Sequence, residues 1–531
     1  MQRIVILLSI VTALMLVAAC GPVSQADQTD NRVIYGLTLS PSGFDPHIHQ
    51  SSELGIVLRQ VYDTLIYRDP NTGQFIPGLA TAWDISDDQT EYTFTLRQGV
   101  RFHDDTPFNA AAVGANLDRI TDPLTRSQHA VSLLGTYIGY DIIDEYTILL
   151  RLSEPFSPLL DSLSQVYLGI ASPDAIAEYS TDRYQFHQVG TGPFTFEEYI
   201  PDQRLVIARN PNYAWGPDFY SLPAENALEI VEFRFFVDPV TRLAALETDE
   251  AHIIGELPPT DARSLTGSGN IQMIPAAIGG QPDQFLINTV RFPTDNVVFR
   301  RALIYGTNRQ IISDTIYQGF SSAAWGPITP NTQFYNRSVN EVYDFDLRQA
   351  RALLASLGYV DNNSDGILDV GENSLTVRVL VPPWGENRQI AQVLQDQWRS
   401  LGIEADLVPV PDFPTLLREI ETGEYNLVSF NTSGLDPAFL NSYYTTDGVR
   451  NWSNFSSPDI DNILASAERQ VDSGVRTQLY AQAQQLIMDQ ALVLPIRERV
   501  NLNAADSSIQ NLRFDAYGWF PILVNAQYTP R

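Results

Sequence analysis

Apolar and polar positions along this chain follow two periods, and the way they alternate predicts the architecture. Tyr92, Phe94 and Leu96 alternate with Glu91, Thr93, Thr95 and Arg97, the period of two of a half-buried strand. A second such strand is predicted over 146–152, with a helix over 110–120 between the two. Val33 to Leu39 and Glu229 to Val237 read as further strands, and Thr241 to Glu247 as a helix. Past Asn296, where the next long helix begins, strand and helix alternate. Leu375 to Val381 is extended, and Ile390, Val393, Leu394, Trp398 and Leu401 then recur at helical spacing. Strands over 405–410 and 425–430 and helices around Ile460 to Ala467 and Val475 to Asp489 follow. Such alternation belongs to an α/β lobe.

The N-terminus departs from this pattern. An apolar run, Ile4 to Val17, is followed by Ala18, Ala19 and the chain's one cysteine, Cys20. A basic start, an apolar segment and a small-residue cleavage site make a secretory signal. Ending it on cysteine supplies a thiol for a lipid, so 1–19 is expected to be removed, Cys20 lipidated, and 20–32 a flexible leash. The competing reading is an ordinary signal or a membrane helix that happens to contain a cysteine. Against it, the apolar run is shorter than the ~20 residues a span needs.

Charge and composition then exclude classes. Removing 1–19 takes away one Arg, leaving 32 basic against 63 acidic residues, which argues against a nucleic-acid partner. All 33 basic residues are arginine, so Schiff-base and phosphate-loop lysines are absent. Six histidines form no HExxH pair; His47 and His49 have the spacing of strand-borne metal ligands but follow Asp45-Pro46 in a loop. No GxSxG or GxGxxG motif is present. A carboxylate-based extracellular hydrolase is the enzyme class left open.

Six segments then carry a family resemblance. They are Arg101 to Asn109, Gly190-Thr191-Gly192-Pro193-Phe194, Thr241 to Ile253, Phe299 to Leu303, Leu353 to Tyr359, and Asp436-Pro437 with Phe455 to Leu464. In this order they resemble the extracytoplasmic solute-binding proteins of peptide and nickel ABC importers. The resemblance implies an α/β clamp of two lobes, of the large class with an extra inserted domain. Residues 33–78, 191–285 and 505–531 would form the first lobe, 79–190 the insertion and 286–504 the second lobe. It also implies a peptide or other small solute in the interlobe cleft, delivery to permease subunits, a monomer, and no required cofactor. A sensory or scaffold lipoprotein using the same clamp is the alternative within the fold.

In peptide-binding members an amine-binding Asp lies three residues before the Asp-Pro step, where this chain has Ser433. The carboxylate-binding Arg position is matched here by Val381. Either Asp436 or another acid substitutes, or the solute is not a free short peptide. Trp384, Asn431, Ser433, Asp436, Trp325 and Tyr443 are the expected ligand-binding residues, with the aromatic ones serving either to stack on solute or to fill a core. Separately, Asp361 to Glu372 fits a calcium-loop spacing, with Asp361, Asn363, Asp365, Ile367, Asp369 and Glu372 as the expected ligands of a structural Ca2+. The competing reading there is a solvated Asp/Asn turn.

Overall fold

The computed structural model describes residues 31–530 apart from 40, 42, 50, 221–225 and 372. The expected signal, the leash up to residue 30 including Cys20, and Glu372 therefore lie outside the described residues. Two large sheets organise the rest. The first has seven strands in the order Ile271–Ala277, Val500–Asp506, Ile253–Ile254, Arg32–Leu37, Ile230–Phe235, Arg204–Arg209 and Phe194–Ile200. Arg32–Leu37 lies parallel to both of its neighbours, and the outer pairings are antiparallel. The second sheet runs Glu404–Pro409, Thr376–Val381, Leu427–Ser429, Asp283–Ile287, Val493–Arg497. Its first three strands are mutually parallel, and their intervening helices Asn387–Arg399 and Phe413–Glu421 cover its faces. Trp398 on the first of these helices is fully buried, with its indole N–H donating to Thr307 Oγ1 at 3.1 Å.

A smaller antiparallel sheet, Ala80–Ile85, Glu91–Leu96, Thr147–Leu152 and Tyr137–Asp144, lies within the predicted insertion. Tyr92, Phe94, Ile148 and Leu150 pack into the same continuous core as Val33, Tyr35 and Val231, so the insertion and the first lobe share one interior. The second lobe has its own, built around Phe285, Val379, Leu394, Trp398 and Val428. The fold is an α/β two-lobed clamp.

The chain crosses between the lobes at 278–282 and again at 498–499, because Asp283 already pairs in the second sheet and Val500 in the first. These crossings fall a few residues before the boundaries expected at 285/286 and 504/505. The apolar strands on either side continue right up to the Gly279-Gly280 and Arg497-Glu498-Arg499 breaks, and those breaks set the switch. The two crossings bond to each other, Ile278 N donating to Arg499 O at 2.9 Å. Gly280 has φ +122, and a Cβ there would lie 2.3 Å from Thr432 O, so only glycine lets this crossing run against the loop 432–434.

Away from the crossings the lobes meet again. Ser157 N donates to Glu468 O at 2.8 Å and Val471 N to Gln89 Oε1 at 3.2 Å, between the insertion and the second lobe. Among the described residues no helix is long and apolar enough to cross a membrane.

Candidate functional site

Two parallel strands of the second lobe, Thr376–Val381 and Leu427–Ser429, point their C-terminal ends at the cleft, which is where open α/β sheets receive ligands. The loops that follow carry Trp384 and the run 430–436. Both lie beside a cavity of about 490 Å³, within the usual range for a small-molecule site. The first lobe contributes Glu256, Leu257, Pro258 and Trp519 to its walls. Asp283, Tyr317, Trp384, Glu386, Asn431 and Arg497 face them from the second lobe, with Arg499 on the crossing between.

The polar wall is built around Asp283. Arg497 Nε lies 2.7 Å from Asp283 Oδ2, Asn431 Nδ2 donates to Oδ1 at 3.1 Å, and the Tyr317 hydroxyl donates to Oδ2 at 3.3 Å. Arg497 also stacks 3.6 Å over the Tyr317 ring. Arg499 approaches Asp283 only at 3.9 Å, and its Nη1 donates to Ser433 Oγ at 2.6 Å. Burial lowers the pKa of Arg499, with Asp283 opposing that shift. Arg497 thus has its counter-charge at contact distance, while Arg499 is a cation presented to the cavity. The apolar wall is Trp384, with Phe413 at 6.4 Å and Phe430 at 6.1 Å between ring centroids.

The expected ligand residues separate into two groups. Trp384 and Asn431 line the cavity, and Ser433 touches its Arg499. Asp436 does not present a free carboxylate: Arg476 Nη1 and Nη2 hold its two oxygens at 2.8 and 2.9 Å, both side chains are buried, and Asp436 also caps the turn at Ala438 N. Trp325 packs under the Arg309 guanidinium at 4.5 Å, away from the cavity lining. Tyr443 is fully buried in the second core with its hydroxyl 2.5 Å from Thr432 Oγ1. Val381 is buried as well. Glu256 and Arg499 escaped sequence reasoning because neither sits in a motif: one follows a two-residue strand, and the other looks like part of a strand that in fact ends two residues earlier.

A larger cavity of about 660 Å³ lies between the insertion and the second lobe, lined by Arg68, Phe75, Tyr92, Phe334 and Arg476. Its two arginines are already paired, Arg68 with Asp161 at 2.6 Å and Arg476 with Asp436. The smaller cavity differs in presenting an arginine, Arg499, whose nearest carboxylate stands off at 3.9 Å.

The acidic loop joins the helix Leu347–Ser356 to the strand pair Asp369–Val370 and Asn373–Ser374. Asp361 accepts from Ser364 N at 2.6 Å and Gly366 N at 3.0 Å, Asp365 accepts from Ile367 N at 2.8 Å, and Asp369 accepts from Asn362 N at 2.7 Å. Asn363 caps Asp365 N at 2.9 Å. Among the described residues no three His, Cys, Asp or Glu side chains converge as a metal site. His47 is likewise committed: Arg119 donates to its Nδ1 at 2.8 Å and its Nε2 donates to Gly169 O at 3.0 Å.

Comparison with known proteins decides the family. Residues 74–454 match the model for bacterial extracellular solute-binding proteins, family 5. The chain belongs to this family. Among relatives, the di/tripeptide-binding protein 1 of Pseudomonas aeruginosa is 27% identical over 90% of this chain and 91% of its own. The glutathione-binding protein GsiB of Salmonella typhi is 29% identical over 79% of each chain. Heme-binding protein A of Haemophilus influenzae is 26% identical over 96% of this chain and 97% of its own. In fold, the structure of NikA from Brucella suis in complex with Fe(III)-EDTA superposes with a TM-score of 0.83 at 21% identity, covering 94% of this chain and all of the other. These relatives are binding proteins, and this family 5 member is a solute-binding protein of the same two-lobed build.

Proposed function

We propose that this family 5 protein captures a small, peptide-like solute in the 490 Å³ cleft between its lobes and delivers it to the permease of an ABC importer. The observation that carries the reading is the composition of that cleft. It joins an aromatic wall at Trp384 to charged groups of both signs, Asp283, Arg497, Arg499 and Glu256, from both lobes. A solute touching both lobes stabilises the closed clamp by its differential affinity for that state, and a permease can read closure. The names of the relatives, spanning di/tripeptide, glutathione and heme binding, support a bound solute over a reacted one. The Cys20 signal supports lipid anchoring outside the cytoplasm; a monomer that needs no cofactor for binding is part of the same proposal.

The test is a thermal-shift and calorimetric panel of short peptides, glutathione and heme on the full chain. A stoichiometric ligand that raises the melting temperature without being turned over is expected; turnover of any panel member would favour the hydrolase reading instead. Loop 361–372 keeps its structural Ca2+ as a proposal resting on sequence spacing. Adding calcium after chelation should raise the melting temperature, and an unchanged value would remove the ion.

A further inference from the structure

We propose that Arg499 and Glu256 are the charge anchors of the cleft, Arg499 receiving a carboxylate of the solute and Glu256 its ammonium group, so that the solute is a short amphoteric molecule of the amino-acid or small-peptide class. This rests on the cleft being the binding site.

The two residues approach the cavity from different parts of the clamp, Glu256 from the first lobe and Arg499 from the crossing strand, and among the described residues they form no ion pair with each other. Arg499 is fixed by the Ser433 hydroxyl and by the hydrogen bond from Ile278 N to its own carbonyl. Its fork of donors is thereby preorganised for a carboxylate. Ser433 stands where an acid would otherwise occupy this guanidinium. An aspartate there would pair with Arg499 and remove the cation from the cavity.

Glu256 is held with equal definition. Its backbone sits at φ +50, its N–H donates to Asn501 Oδ1 at 3.1 Å, and Arg242 Nη2 donates to its carbonyl at 3.0 Å. Its side chain opens onto the cavity, and behind it the Thr38 hydroxyl lies within hydrogen-bonding distance of both Glu256 Oε1, at 3.1 Å, and Glu53 Oε1. One hydroxyl proton can be donated to only one of these two carboxyls at a time, which leaves the other open to a donor from the cavity. An ammonium group brings three donors and can take the place of a proton on the Glu256 carboxyl, which leaves to solvent.

Enclosure by the cleft walls and the neighbouring Glu53 charge push the Glu256 carboxyl up to about 7. Arg242, Arg499, Glu53 and Tyr35 are the other titratable groups around it. The ammonium site is therefore better formed as pH rises to about 7 and is lost as pH falls below it.

The experiment incubates the full chain with three synthetic mixtures of di- and tripeptides: one with free termini, one N-acetylated and one C-amidated. Retained peptides are identified by mass spectrometry. Either block should weaken retention by about thirtyfold or more, the loss expected when a buried charge partner is removed. Discrimination against acetylation should vanish in E256Q and discrimination against amidation in R499Q. Calorimetry of a retained peptide at pH 6, in two buffers of different ionisation enthalpy, should show proton release in the wild type and none in E256Q. Equal retention of free and blocked peptides would overturn the anchors while leaving the cleft as the site. Retention of none of the three would overturn both anchors and peptide binding. Because the blocked peptides are compared on the unaltered protein, misfolding of a variant cannot decide the outcome.

Discussion

Asp436 opens the Asp-Pro step that the sequence offers as an anchor, and the fold spends its carboxylate on Arg476. Both side chains are buried and bidentate, so removing one leaves an unpaired charge in the interior. Asp436→Ala is expected to cost about 3–5 kcal/mol of folding stability, with denaturant unfolding as the measurement. An unchanged unfolding midpoint with weakened solute binding would return Asp436 to the ligand site. The same scale explains what sequence could show. Trp384 sits in a Pro-Gly-flanked loop after a strand, and that local setting was enough to place it by the cleft. Asp436, Trp325 and Tyr443 were placed by type and motif alone, whereas their partners Arg476, Arg309 and Thr432 are set by tertiary packing.

His47 gives a residue-scale pH dependence. Burial first, and then Arg119, lower its pKa from 6.5 to about 4. The unfolded chain thus binds a proton at higher pH than the folded one. Stability from the neutral ring is complete above the unfolded pKa of 6.5 and is lost as pH falls through about 4, a span worth up to about 3 kcal/mol. His47→Asn should melt lower at pH 7 yet decline less steeply between pH 6.5 and 4; a slope equal to wild type would contradict the assignment.

Among elements, the first crossing strand is the most constrained. Gly280 N donates to Thr332 Oγ1 at 2.7 Å, Gln281 N to Thr432 O at 2.9 Å, and Gly434 N to Gly279 O at 3.1 Å, fastening the loop that carries Ser433 to the hinge. Gly280→Ala brings a methyl against Thr432 O at a φ that L residues rarely adopt, and is expected to destabilise by more than about 1 kcal/mol. It should also weaken solute binding, since the displaced loop holds the partner of Arg499; full affinity in calorimetry would show that the loop is not positioned this way. Strands and helices with clean periodicity were legible to within a few residues: the helix predicted over 110–120 is Ala110–Thr121, and the strand from Leu375 is Thr376–Val381. The crossings were less legible because apolar alternation runs through both lobes, and it is pairing partners, not composition, that change at Gly280 and Arg499.

At the scale of the molecule, two lobes joined by two short crossings leave beside those crossings a cleft whose walls belong to different bodies. That division and the α/β class were readable from pattern and resemblance. The charge arrangement of the cleft was not, since Glu256, Asp283 and Arg499 are separated by long stretches of chain and meet only through the fold. The central claim is that a solute occupies this cleft, and native mass spectrometry of the protein purified under non-denaturing conditions tests it most directly. The expected spectrum shows the chain with one small amphoteric molecule bound, released on acidification and rebound on return to neutral pH. A ligand-free spectrum that stays unchanged after incubation with short peptides, glutathione and heme would contradict it.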